Sequence, residues 1–140
     1  MDSIIPMIGD KVESKKVNET NAVVLAYVGD AVESLYVRSI LATTSTAKSH
    51  TLHLRASRIV NATSQARRAE RLLPLMTEDE VAIYRRGMNS KVHSSAKNAD
   101  LLDYKSATGL EAVYGYLYLS GNSDRLSYLL EFTKEDIIQK

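Results

Sequence analysis

Two carboxylates stand where carboxylates are costly. Asp30 sits inside Leu25-Ala-Tyr-Val-Gly-Asp-Ala-Val-Glu-Ser-Leu-Tyr36, and Glu111 inside Ala107-Thr-Gly-Leu-Glu-Ala-Val-Tyr-Gly-Tyr-Leu-Tyr-Leu119. Both stretches are otherwise largely apolar. In the first, Tyr27, Val28, Ala31, Val32 and Leu35 recur at i, i+3 and i+4, which predicts a helix with that stripe facing the core and Asp30 beside or within it. An ionised carboxylate there is unfavourable unless it is paired or holds a metal. A lone acid in an amphipathic helix ordinarily caps, pairs with arginine or reaches water. Here, however, small residues stand one turn to either side: Ala26 and Ser34 around Asp30, Ala107 and Gly115 around Glu111. Such spacing leaves room for a hydrated cation and a phosphate, and it equally suits close helix packing. If the two helices pack together, Asp30 and Glu111 form a paired site for a divalent ion. Mg2+ suits so sparse a set, because it keeps several waters and takes one or two protein carboxylates. A cation held this way could neutralise a phosphate and acidify a bound water, which is what phosphodiester hydrolysis needs; Asp30 and Glu111 are then the candidate catalytic metal ligands, with Asp30 also a candidate to orient the attacking water.

Other candidates are weaker. His50 and His53 are three apart, but no third ligand stands at a sensible spacing, so no zinc site is predicted. The absence of cysteine excludes disulfides and thiolate metal centres, and it fits a reducing, cytoplasmic location. No apolar run approaches a membrane span, and Met1-Asp-Ser-Ile-Ile-Pro6 lacks the basic region of a signal peptide. Eight tyrosines beside one phenylalanine suggest aromatic surfaces with polar tips. The net charge of +1 is unevenly spread: residues 1–47 carry −2, residues 48–97 carry +6 and residues 98–140 carry −3. The basic middle is either a set of solvated helix faces or an electrostatic footprint for a polyanion.

The elements that must position these groups are all helical. At 140 residues the chain is expected to form a single domain, 1–140, with an N-terminal arm over 1–18 and a tail over 133–140. Asn18, Thr20 and Asn21 are candidate caps for a first long helix over about 20–42. A second helix is predicted from about 47 to 58. A third runs from about 59 or 61 to 73, with Arg67, Arg68 and Arg71 on its polar side and Pro74 ending it. Thr77-Glu-Asp-Glu80 reads as a capping box that starts a short fourth helix, with Gly87 as its left-handed C-cap. Residues 88–99 are predicted to be a basic loop. Asp100 or Asp103 is expected to cap the Glu111 helix, over about 103–119, and a last helix covers about 123–131. No strand alternation or internal repeat appears. The expected fold is all-α, with about six or seven helices.

The motifs also carry a resemblance. Tyr27-Val-Gly-Asp-Ala-Val32 is similar to the signature helix of the ribonuclease III catalytic domain, and Leu110-Glu-Ala-Val-Tyr-Gly115 to that family's second acidic helix. Tyr84-Arg-Arg-Gly-Met-Asn89, Lys91, Lys97-Asn-Ala-Asp100 and Ala107-Thr108 resemble the short Mini-ribonuclease III branch, which has no double-stranded-RNA-binding domain. The resemblance spans roughly residues 20 to 120. It implies a ribonuclease III-type endonuclease fold and Mg2+-dependent cleavage of double-stranded RNA to 5′-phosphate and 3′-hydroxyl ends. It also implies a homodimer whose two sites each cut one strand, and a large-subunit (23S-type) ribosomal RNA precursor as substrate. Resemblance and charge together make Arg85, Arg86, Asn89, Lys91, Lys97 and Asn98 the expected RNA contacts. Dimerisation is expected around Val32, Leu35 and Tyr36. Whether a ribosomal protein must present the substrate stays open.

The chain departs from the larger enzymes of that family at two positions. Ala26 stands one turn before Asp30, and Thr108 three residues before Glu111, where that pattern has acids. Glu33 falls one position before the acid usual after the signature, and is expected at the surface or an interface. Two other functions remain in view. A non-catalytic RNA-binding or ribosome-associated domain of the same fold would explain the missing acids. A helical DNA-binding module would explain the basic middle but not the acids within apolar helices.

Overall fold

The computed structural model describes residues 8–90 and 98–139. A short α1 (Ser14–Asn18) leads into the long α2 (Ala22–Thr44). Then come α3 (Ser49–Ile59), α4 (Ala62–Leu72), one 3-10 turn (Leu73–Leu75) and α5 (Glu78–Met88). The chain finishes with α6 (Asn98–Leu119) and α7 (Ser123–Gln139). The fold is therefore all-α, as predicted. No helix among the described residues is long and apolar enough to cross a membrane.

Local chemistry sets most of the boundaries. The Asn21 side chain accepts from the Val23 backbone N–H at 2.8 Å and starts α2. Asn61 accepts from the Ser64 N–H at 2.9 Å, while its own amide donates to the carbonyls of Ser57 and Arg58. One side chain thus closes α3 and opens α4. The capping box forms as the sequence predicts: Glu80 N–H donates to Thr77 Oγ1 and Thr77 N–H to Glu80 Oε1. Glu80 also receives Arg125 of α7 at 2.8 Å, which ties the last helix to α5.

Three expected helix boundaries fail. Gly87 is not a C-cap: α5 runs through Met88, and Gly87 packs directly against Gly109 of α6. Asp100 and Asp103 lie within α6, which begins at Asn98, and Asp103 accepts from Thr63 of α4. α7 extends to Gln139 because its far turns are held: Thr133 and Ile137 are buried and Asp136 is paired with Arg68.

α6 is the hub. Its largest interface is with α2, followed by those with α5 and α4. Leu25, Val32 and Val37 of α2 meet a core that includes Leu110, Val113 and Leu117 of α6. Burying each such side chain contributes about 1.5–3 kcal/mol. The crossing is close because it is lined by glycine. A Cβ on Gly29 would run into the Glu111 carbonyl, and one on Gly115 into the Leu25 carbonyl. The inward stripe of α2 accordingly includes Leu25, Ala26, Gly29, Val32, Glu33 and Tyr36. Tyr27, Ala31 and Leu35, predicted to face the core, are exposed instead. The helix is apolar on both faces, and the small residues choose the one that packs.

Candidate active site

The glycine contact fixes what stands next to it. Asp30 follows Gly29 on α2, and Glu111 lies one turn before Gly115 on α6. The two carboxyl groups come within hydrogen-bonding reach of each other. They share a cleft of about 560 Å3 whose walls include Ala26, Asn61, Gln65 and Thr108. Asp30 is exposed and Glu111 half-buried. Burial, the Asp30 carboxyl and the charge of Glu33 push the Glu111 carboxyl up from 4.5 to about 9, with Gln65 working the other way. With no cation present, Glu111 therefore holds a proton at neutral pH. A divalent ion would replace that proton as the partner of both carboxylates.

The donor set fits such an ion. Two acids flanked by the small residues Ala26 and Ala107 leave space for a cation that keeps most of its water. Thr108 lines the cleft, but its hydroxyl donates to the Tyr104 carbonyl at 2.9 Å. Among the described residues, no group of three or more His, Cys, Asp or Glu gathers around a metal position.

Behind the cleft lies a buried polar cluster that sequence reasoning missed. Glu33, expected at the surface, is fully buried. Its Oε1 accepts from Gln65 Nε2 at 2.8 Å and pairs with Arg68 Nη2 at 3.5 Å. Its Oε2 accepts from Thr133 Oγ1 at 3.1 Å. Arg68, expected on a polar helix side, is also fully buried; it donates to the Ile59 carbonyl and to Asp136. Burial opposes its charge, but Glu33 and Asp136 outweigh that and raise its pKa. Removing one partner of such a pair typically costs about 3–5 kcal/mol. Tyr114 lies buried beside Glu33 and Thr133, and burial pushes its hydroxyl pKa well up. No local pattern in the sequence marks this cluster, because its members come from four helices.

Of the remaining predicted residues, Arg85, Arg86 and Asn89 are described, and none of them lines the cleft. Arg85 and Asn89 are exposed at the end of α5. Arg86 turns inward, donating to the Asn18 carbonyl at 2.7 Å and the Thr20 carbonyl at 2.6 Å, so it clamps the α1–α2 junction. Lys91, Lys97 and the side chain of Asn98 lie outside the described residues. From Asp30 a narrower groove passes Ser34 and Ser57 to Arg38 and His53, between α2 and α3. Arg38 and His53 also line a neighbouring cavity with Leu52.

An all-helical domain that sets two acids at one open cleft has the makings of a metal-using phosphodiesterase. Residues 23–122 match the model of the Ribonuclease III domain. The Mini-ribonuclease 3 of Brevibacillus brevis is 45% identical over 114 residues, covering 81% of this chain and 85% of the relative. That of Streptococcus pneumoniae is 42% identical over 118 residues, covering 83% and 92%. A solved structure of a Fusobacterium nucleatum protein shares the fold, with a TM-score of 0.77 at 22% identity over 89% of this chain and 98% of that one. The chain belongs to the ribonuclease III family, in its Mini-ribonuclease III branch, and is an endoribonuclease.

Proposed function

We propose that the chain is a Mg2+-dependent endoribonuclease that cuts duplex RNA as a homodimer, leaving 5′-phosphate and 3′-hydroxyl ends. The substrate we infer is the large-subunit (23S-type) ribosomal RNA precursor, processed in a reducing cytoplasm. The observation that carries this reading is the meeting of Asp30 and Glu111 in one open cleft, where burial and the Asp30 carboxyl raise the Glu111 pKa.

Asp30 and Glu111 would hold the ion. Bound there, Mg2+ supplies charge neutralisation on the phosphate and an acidified water. Asp30, the more exposed acid, accepts a hydrogen bond from the attacking water and orients it. Glu111, whose pKa burial and the Asp30 carboxyl raise, would release its proton to solvent on taking the ion. Arg85 and Asn89, together with Lys91, Lys97 and Asn98, contact phosphates and 2′-hydroxyls, since A-form RNA is read chiefly by shape. Arg38 and His53 extend that contact along the side groove. The second copy docks on the exposed apolar stripe of Val24, Tyr27, Ala31 and Leu35. Val32 and Tyr36, expected there from the sequence, are buried inside the protomer and leave that surface.

The test is cleavage of duplex RNA with and without Mg2+, comparing wild type with Asp30→Asn and Glu111→Gln. Metal-dependent cutting, lost in both variants while RNA binding persists, is the expected result. Wild-type binding without cutting favours the non-catalytic RNA-binding alternative. Mapping cut sites on a ribosomal RNA precursor tests the substrate.

A further inference from the structure

Glu111 is held from behind by a single amide. Gln65, 4% exposed, donates from one nitrogen to Glu33 Oε1 at 2.8 Å and to Glu111 Oε2 at 3.4 Å. The amide orientation is set by Glu33, whose carboxylate would face the amide oxygen if the group turned over. Glu33 in turn cannot leave, since it is fully buried against Arg68 and Thr133. Arg68 is closed off by the Ile59 carbonyl at 2.6 Å and by Asp136 at 2.9 Å, and Asp136 is braced by Arg71 at 3.1 Å. A continuous chain of polar contacts thus runs from α7 through α4 and α2 to the cleft.

We propose that Gln65 is a positioning residue for Glu111, aimed at it by the Glu33–Arg68–Asp136 chain, so that the last helix helps set the cation affinity of a site it does not touch. The contact at 3.4 Å disfavours rotamers that would swing Glu111 away from Asp30. Partners of this kind, one step behind a metal ligand, typically govern affinity by about 10–100-fold. The family match ends at residue 122, before Thr133 and Asp136, so the α7 end of the chain of contacts lies outside the matched stretch. The inference rests on Asp30 and Glu111 being cation ligands.

The experiment titrates the full chain with Mn2+, which takes the same oxygen donors, and reads free Mn2+ by electron paramagnetic resonance. Wild type, Gln65→Met and Thr133→Val are compared, alongside kcat and KM on duplex RNA. Gln65→Met is expected to weaken Mn2+ binding by about tenfold or more, and to lower kcat with KM unchanged. Excess metal should restore part of the rate. Thr133→Val should shift both quantities in the same direction, by less. A folded Gln65→Met with wild-type Mn2+ affinity overturns the inference, as does a change confined to KM. If Gln65→Met does not fold, unaltered Mn2+ affinity in Thr133→Val overturns it. A wild-type chain that binds no Mn2+ sinks the functional reading itself; one that binds equally well in all three forms sinks only the role of Gln65.

Discussion

Replacing Gly29 by alanine tests the link between helix packing and chemistry. The new Cβ would lie 2.6 Å from the Glu111 carbonyl carbon and 2.9 Å from the Gly115 nitrogen, with the Glu111 carbonyl oxygen closer still. Contact distance for carbon is about 3.5 Å, so α2 and α6 must separate by roughly 1 Å or more. Both obstacles are helix backbone, which cannot rotate out of the way as a side chain would. Overpacking of this kind costs about 1–3 kcal/mol, and backbone obstruction belongs at the upper end. For a domain of this size that lowers Tm by roughly 10 °C. The same displacement separates the adjacent residues Asp30 and Glu111, and a misplacement of about 1 Å can cost on the order of 100-fold in rate. The assay is thermal unfolding by circular dichroism, followed by kcat on duplex RNA at a temperature where the variant is folded. Gly115→Ala obstructs the same crossing from the other side, so the double variant should cost less than the sum. Gly9→Ala, with nothing within 4 Å, is the control. A Gly29→Ala protein with the Tm and kcat of wild type would refute the close-crossing account of the site.

Three more outcomes follow from the geometry. Glu111 has its folded pKa raised to about 9 from 4.5, so in metal-free protein its stabilising contribution is full below about pH 4.5 and is lost as pH rises through 9. Tm measured in chelator should therefore fall across that window, and Glu111→Gln should flatten the fall; parallel curves would contradict the raised pKa. Arg38→Ala should raise KM for duplex RNA, leave kcat near wild type, and reduce the salt slope of binding by about one. An unchanged salt slope would remove Arg38 from the RNA path. Tyr27→Lys puts a charge on a residue 79% exposed in the protomer, so it should leave the helical content of the folded protomer unchanged while converting a dimer to a monomer in sedimentation at micromolar concentration, with Tm falling only by the lost dimer linkage. A dimer that survives would move the interface elsewhere.

Much of this architecture is written locally. The Thr77–Glu80 box, the Asn21 cap and the helical period around Asp30 and Glu111 each depend on residues within a turn or two of one another. They specify the helices from the sequence alone, and the acids stand out because each interrupts an apolar stretch. The orientation of α2 is not local. Tyr27, Ala31 and Leu35 form as regular a stripe as Leu25, Val32 and Tyr36, and periodicity does not rank two apolar faces of one helix. Gly29 decides between them, but only against Gly115 on a helix far along the chain. Glu33 and Arg68 show the same limit more sharply. Each taken singly belongs in water, because burying an unpaired charge is prohibitive. Their burial becomes tolerable only when packing supplies Gln65, Thr133 and Asp136 as partners, and that set exists nowhere but in the folded chain.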